Sequence, residues 1–496
     1  MIEVPYNDLR EHIEACKQAD DWREIYDADW KEEIGALTEA TAELINDPPM
    51  LMFDRIKGYP AGFRVVSLLQ ASPKRVALSL ALPPDKSKLE LVRLAVKRMQ
   101  EVKEIAPVEV GTGPIMENVM EGEDVDILRF PVPLYHQADG GRYIGTGDSV
   151  INRDPDTGYV NMGTYRIQVH ERNLLGLWMS PGQQGRQICE RYWDRGESCP
   201  IVALFGADPL TFMASHSRLP WGKSELHFAG GLRGKPLEVI KGPLTWLPIP
   251  AHAEIAVEGE APPPDVEARA EGPFGEWPGY YSGGTLGTGK LQPVIRIKAI
   301  YHRNNPIIIN EAPLWPGAIT AGLPMGSGIL WNQLEAAGIQ DITGVYKYNR
   351  YLIVIAIRQR YAGHAKQAGL AVLGCIEAAR HGRYVVVVDE DIDPTNIKEV
   401  LWAMETRVDP ATDIDLIRGF LSTPIDPRMP PERRESRDFT TSRAIIYAVR
   451  PFTWKDKYPK VSRTTRELRQ EVVEKYRSLF SRSVSARGTI LNTERK

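Results

Sequence analysis

Cysteine is scarce in this chain. Four occur in 496 residues (Cys16, Cys189, Cys199 and Cys375), and no two form a C-x-x-C pair. That excludes a zinc knuckle, a thioredoxin-like site and a disulfide framework, and it points to a reducing compartment. Long apolar runs are also missing. The longest, such as YLIVIAI (351–357) and VVVV (385–388), fall far short of the roughly 20 residues a membrane-spanning helix needs. They read as buried strands. The opening MIEVPYNDLREHIEACKQ is charged early and lacks the apolar core of a signal peptide, so a cytoplasmic protein without a membrane partner is expected. Neither charge sign dominates: 61 Lys and Arg face 65 Asp and Glu, for a net charge of −4. No chain-wide positive field exists to hold nucleic acid phosphates.

Several signature motifs are absent as well. No G-x-G-x-x-G follows a strand, and neither H-E-x-x-H nor G-x-S-x-G occurs. A Rossmann site, a zincin and the usual serine hydrolases thus lack their marks. GGTLGTGK (283–290) approaches a phosphate loop, but Leu291 stands where Mg2+ needs Ser or Thr, and the flanks read as β.

What remains is an ordinary globular composition, 43% apolar and 25% charged, in a chain long enough for about three domains. Residues 1–120 read as an N-terminal α/β domain. Helices are expected over 7–18, with Leu9, Ile13 and Cys16 on one face, and over 86–104. Between them FRVVSLLQAS and RVALSLAL read as strands or short buried elements. Over 121–325 Gly and Pro recur, and alternating runs at 165–170, 253–261 and 293–302 predict the strands of a barrel or sandwich. A helix is expected at 184–195, and the PPP at 262–264 forces a turn. Residues 326–462 run in βαβα order, which predicts a parallel sheet covered by helices. Within 463–496 a charged helix over 463–483 carries acidic residues among its Lys and Arg, as a solvated or subunit-contacting helix does.

Two stretches concentrate chemistry. In EGPFGEWPGYYSGG (271–284), Glu271 and Glu276 bracket a Gly-Pro-Phe-Gly turn. Two carboxylates on a tight apolar turn can project into one cleft and divide acid and base roles; a surface hairpin with solvated glutamates is the equal alternative. In 140–188, the run N-x-G-T-Y-R places Asn161 and Arg166 in or near a strand, with a planar guanidinium suited to phosphate or carboxylate. An ordinary exposed strand reads as well there. PGQQGRQI leads into a helix start whose unpaired N–H groups favour an anion.

Together DGGRYIGTG, the DPDTG…N-x-G-T-Y-R-x-Q-V-H run, EGPFGE, YAGHAKQAG (361–369) and DEDIDPTNIKEVLWAMETR (389–407) resemble the UbiD family of decarboxylases, in order along nearly the whole chain. The resemblance implies an N-terminal α/β domain, a central split β-barrel that binds flavin and a C-terminal α/β domain, assembled as a homodimer or homohexamer. It implies prenylated FMN, supplied by a flavin prenyltransferase, with a divalent metal on its phosphate and K+ nearby. The implied metal ligands are Asn161, Gln184 and Glu225. Gln184 stands where the family usually has His, so Mn2+ is joined by Mg2+ as an expected ion. The implied cofactor contacts are Gly163, Thr164, Tyr165, Arg166, Gln183, Ser215 and Lys366 beside the three metal ligands. The implied catalytic set is Arg166, Glu271 and Glu276, with Glu276 as proton donor in a reversible, non-oxidative decarboxylation.

The expected substrate is first an aromatic or heteroaromatic acid such as a hydroxybenzoate, then a cinnamate-type acrylic acid, then a prenylated hydroxybenzoate. Leu314, Trp315 and Leu323, in an apolar Gly/Pro-rich segment, are candidates to line its pocket or to pack between domains. An FMN oxidoreductase on a split barrel and an inactive assembly subunit are the rival readings.

Overall fold

The computed structural model describes residues 3–281, 290–315, 324–348, 351–380 and 382–477. Residues up to Val449 form one compact unit and those from Arg450 a second. The glycine-rich run at 283–289 and Leu323 lie outside the described residues.

In the first unit, the opening helix spans Leu9–Gln18, and the Asp8 carboxylate caps it by accepting from the Glu11 N–H at 2.9 Å. Leu9, Ile13 and Cys16 are buried along one face, as their spacing predicts. The helix Lys88–Glu101 starts with a reciprocal Ser87/Glu90 capping box. RVALSLAL resolves as a short buried element, the helix Pro73–Ser79, because Pro73 presets the first turn. A four-stranded sheet runs in the order Trp22–Tyr26, Met50–Asp54, Arg64–Ser67 and Ile307–Asn310. Its last strand comes from far down the chain and pairs in parallel with Arg64–Ser67.

The central sheet has ten strands. Its path is Tyr143–Gly145, Arg166–Glu171, Leu174–Trp178, Lys290–His302, Ile255–Ala261, Cys199–Phe205, Asp148–Arg153 and Val160–Gly163. The 13-residue strand Lys290–His302 also receives Ala268–Glu271 and Asn118–Glu121 at its two ends. This curled sheet is the split barrel. Ile201, Ala203, Phe205, Val257 and Ile295 fill its core, and the helix Gln184–Trp193 packs near one end of the path.

The last sheet of the unit orders Ile342–Lys347, Leu352–Ile357, Tyr384–Asp389, Thr440–Ala448 and Ile414–Leu421. Its centre is parallel, but both edge strands are antiparallel, so the expected all-parallel sheet is corrected to a mixed one. The helix that starts at His364 ends at Gly374. Glycine is a poor helix former, and the buried Arg443 guanidinium takes the Ala378 and Ala379 carbonyls, fixing a turn there.

In the second unit, Thr465 caps the helix Arg466–Lys475, the described part of the charged helix expected over 463–483. No helix among the described residues is long and apolar enough to cross a membrane.

Candidate active site

A cavity of about 610 Å³ opens in the first unit where the split barrel meets the mixed sheet and the strand ends of the N-terminal sheet. The strand Val160–Gly163 and the start of Arg166–Glu171 give it Asn161, Gly163, Thr164, Tyr165 and Arg166. Helix ends supply further polar residues: Gln183 and Gln184 at one N-terminus, Ser215 at a C-terminus and Glu225 at another N-terminus. Tyr165 is wedged among these elements. Its hydroxyl accepts from the Gly185 N–H at 3.0 Å and the Asn161 amide at 3.4 Å. A Cβ on Gly163 or Gly185 would come within 2.4 Å of that hydroxyl, so glycine is required at both positions.

The structure brings Arg166, Glu271 and Glu276 together. The Arg166 guanidinium grips Glu271 with both prongs, Nε to Oε1 and Nη2 to Oε2, each at 2.8 Å. Its Nη1 donates to Glu276 Oε1 at 2.5 Å. Trp178 and Phe274 hold the guanidinium between them, 4.5 and 4.6 Å from their ring centroids. All three charged side chains are buried. Burial opposes charge on Arg166, but Glu276 and Glu271 outweigh it and raise its pKa, so it stays a cation. Tyr143 donates to Glu271 Oε1 at 3.1 Å, and burial together with that carboxylate pushes the phenol pKa up.

Local backbone explains the meeting. Glu271 ends the strand Ala268–Glu271, and Gly272 follows with φ +93, a left-handed conformation that favours glycine. The chain reverses, and Glu276 is pinned by its bridge to Tyr280. The two carboxylates differ in setting. Glu276 lines the cavity, whereas Glu271 lies behind Arg166 and does not.

Asn161, Gln184 and Glu225 face the same cavity. The Asn161 amide nitrogen is committed to Asn152 and Tyr165, which turns its carbonyl oxygen to ligation. The Tyr159 hydroxyl donates to Gln184 Oε1 at 2.7 Å, and Gln184 Nε2 donates to the Leu219 carbonyl at 2.8 Å. The Gln184 oxygen keeps a second lone pair. Glu225 accepts the Met162 N–H at 2.9 Å, yet among the described residues no basic side chain pairs with it. Burial outweighs its backbone donors and pushes its carboxyl up to about 7. Two amide oxygens beside one carboxylate without a basic partner fit a hard divalent cation. No cluster of three His, Cys, Asp or Glu exists among the described residues, so the amides are essential to that fit.

The remaining predicted contacts also fall on the wall. Thr164 and Ser215 share a hydroxyl–hydroxyl bond of 2.7 Å, and Gln183 Oε1 accepts the Ser180 N–H at 2.7 Å. Lys366 is the exception. It stands on the solvent face of its helix and pairs with Asp415 at 3.2 Å, away from the cavity. Leu314 is buried in the hydrophobic core and Trp315 points outward; neither lines the cavity. Residues that sequence reasoning missed do line it: Gln70, Thr146, Glu311 and the basic side chains Arg218, Lys347 and Arg380. Only Glu311 left a signal, as an acid between two apolar runs beside the segment already suspected.

Comparison with known proteins supplies the family. Residues 13–95, 107–314 and 321–448 match the N-terminal, Rift-related and C-terminal domains of 3-octaprenyl-4-hydroxybenzoate carboxy-lyase. The chain is 32% identical over 439 residues to a phenolic acid decarboxylase of Bacillus subtilis, covering 86% of this chain and 89% of that protein. It is 31% identical to a pyrrole-2-carboxylic acid decarboxylase of Pseudomonas aeruginosa, covering 84% and 87% respectively. Among solved structures, the UbiD-class enzyme HmfF from Pelotomaculum thermopropionicum, in complex with FMN, superposes with a TM-score of 0.80 at 26% identity, covering 95% of this chain and 100% of that one. Matched in all three parts and over most of its length, the chain belongs to the UbiD family of carboxy-lyases.

Proposed function

We propose that this chain is a decarboxylase of aromatic carboxylic acids that works with prenylated FMN, and that Glu276 is its proton donor. The observation that supports the reading best is the asymmetry of the two carboxylates. Glu271 is locked on both oxygens behind Arg166, whereas Glu276 meets the same guanidinium by one contact and lines the cavity.

In this reading Arg166, packed against Trp178 and Phe274, offers charge to the substrate carboxylate and orients it. Glu271 is a positioning residue that fixes the guanidinium. Glu276 holds a proton and delivers it to the carbon that has lost CO2. The chemistry that bound prenylated FMN supplies is an electron sink for the pair left behind when CO2 departs. Asn161, Gln184 and Glu225 would hold a divalent cation, Mn2+ or Mg2+, against the cofactor phosphate, with K+ nearby. Gly163, Thr164, Tyr165, Gln183 and Ser215 would shape the flavin wall.

The first substrate class to test is hydroxybenzoates and related heteroaromatic acids, in line with the names of the relatives. The same reading includes a cytoplasmic homodimer or homohexamer that receives its cofactor from a flavin prenyltransferase, and division of the chain near residues 120, 325 and 462. The test is co-expression with such a prenyltransferase, followed by CO2 release from a panel of benzoic, cinnamic and pyrrole-2-carboxylic acids. Release from at least one aromatic acid, dependent on the modified flavin, is expected. A flavin-loaded enzyme that releases none would contradict the reading.

A further inference from the structure

The same cavity carries a polar pair that neither the proton transfer nor the cation site uses. Gln70 follows the strand Arg64–Ser67 and Glu311 follows Ile307–Asn310. Those strands are parallel neighbours with Ser67 opposite Asn310, so both residues leave the sheet at one edge. The Gln70 backbone N–H donates to Glu311 Oε1 at 3.2 Å. The side chains are 2% and 6% exposed, and both line the cavity.

Two features mark the pair as built for a ligand. Gln70 Nε2 is a buried donor with no hydrogen-bond partner, a costly state that a native site rarely keeps without purpose. Among the described residues no basic side chain forms an ion pair with Glu311; Arg75, the cation that acts on it, stands 3.0 Å from Asp21 and donates to the Leu68 carbonyl at 2.7 Å. Burial pushes the Glu311 carboxyl up to about 7, so it can accept or donate near neutrality. The pair shares its cavity with the reacting end, on a wall that includes Thr146, bonded to the Tyr135 hydroxyl at 2.9 Å. The Tyr135 ring packs edge-on against Phe274, 6.4 Å between centroids, and Phe274 covers Arg166. Val76, Met325 and Ile329 add apolar lining to the cavity.

We propose that Gln70 and Glu311 form a subsite for a hydroxyl group on the ring of the substrate acid. The hydroxyl oxygen accepts from Gln70 Nε2, and its hydrogen is donated to the Glu311 carboxyl group. This rests on the aromatic-acid reading above and narrows it to phenolic acids. A ring without the hydroxyl leaves the Gln70 donor unpaired in a buried wall, which is how a polar site rejects a deoxy analogue.

The test compares matched acids, 2-, 3- and 4-hydroxybenzoate against benzoate and 4-hydroxycinnamate against cinnamate. Both kcat/KM and equilibrium binding are measured on flavin-loaded wild type, Glu311→Gln and Gln70→Leu. Wild type is expected to favour one hydroxylated acid by about tenfold to hundredfold. Each variant should bring that ratio close to one, while turnover or binding of the deoxy acid, the flavin spectrum and the melting temperature stay unchanged. Equal discrimination in wild type and both variants would overturn the proposal, as would loss of flavin in both variants, which would place the pair on the cofactor wall. If wild type binds the hydroxylated acid selectively but releases no CO2, the decarboxylase reading fails and the subsite stands. CO2 release without discrimination means the reverse.

Discussion

The two charged walls of the cavity are built on opposite principles. On one, Arg166 meets Glu271 and Glu276 directly, so two buried carboxylates share a cation that the chain itself provides. On the other, Glu225 is as deeply buried but has backbone donors and neutral amides around it, and its carboxyl is pushed up to about 7. The first wall is electrostatically assembled by folding. In the proposed function, a bound divalent cation would complete the second wall.

That contrast can be broken at several points. The largest effect is expected at Glu276. Glu276→Gln should lower kcat by about 10² to 10⁴-fold, the usual weight of a general acid, with the flavin absorbance intact; single-turnover CO2 release measures it. Next is Glu225. Glu225→Gln should weaken divalent metal binding by about 10- to 100-fold or more, read as metal and flavin content after gel filtration.

The same residue sets a pH effect in the metal-free protein. Its folded pKa, about 7, lies above the ordinary 4.5, so the folded state binds the proton more tightly. Its stabilising contribution is full below about 4.5 and is lost as pH rises through about 7. That window corresponds to about 3 kcal/mol. Between pH 5 and pH 8, metal-free Glu225→Gln should therefore lose less stability than metal-free wild type; scanning calorimetry with a chelator checks it. Glu271→Gln should cost less than Glu276→Gln, because it loosens Arg166 without removing the proton donor, and it should raise KM more than the Glu276 variant does. Smallest of all, Lys366→Ala should leave flavin content and kcat unchanged, since its ammonium pairs with Asp415 outside the cavity; a shift in either would restore a cofactor role.

Much of this was legible in the sequence, for identifiable reasons. The helix at Leu9–Gln18 obeys a simple burial periodicity, and the strands Arg166–Glu171 and Ile255–Ala261 were legible from their alternating residue types, although both are buried along most of their length. The turn between Glu271 and Glu276 is dictated by its own Gly and Pro, so the approach of both acids to one guanidinium followed from local chemistry plus the family pattern. Edge-strand direction did not follow, because Ile342–Lys347 and Ile414–Leu421 look no different in antiparallel pairing. Lys366 lies off the cavity wall, and a lysine near a helix start carries no mark of which face it takes. Gln70 and Glu311 were hidden for a different reason. They lie 241 residues apart and meet only because Ile307–Asn310 crosses back to the first sheet.

The most direct test of the central claim is the source of the proton. Decarboxylation in D2O by the flavin-loaded enzyme should place one deuterium on the carbon that bore the carboxylate, and the wild type should also exchange that position in added product. Glu276→Gln should lose both activities while it still binds flavin and substrate. Exchange at the wild-type rate in that variant would show that another group supplies the proton, and the account of the cavity-facing carboxylate would fall.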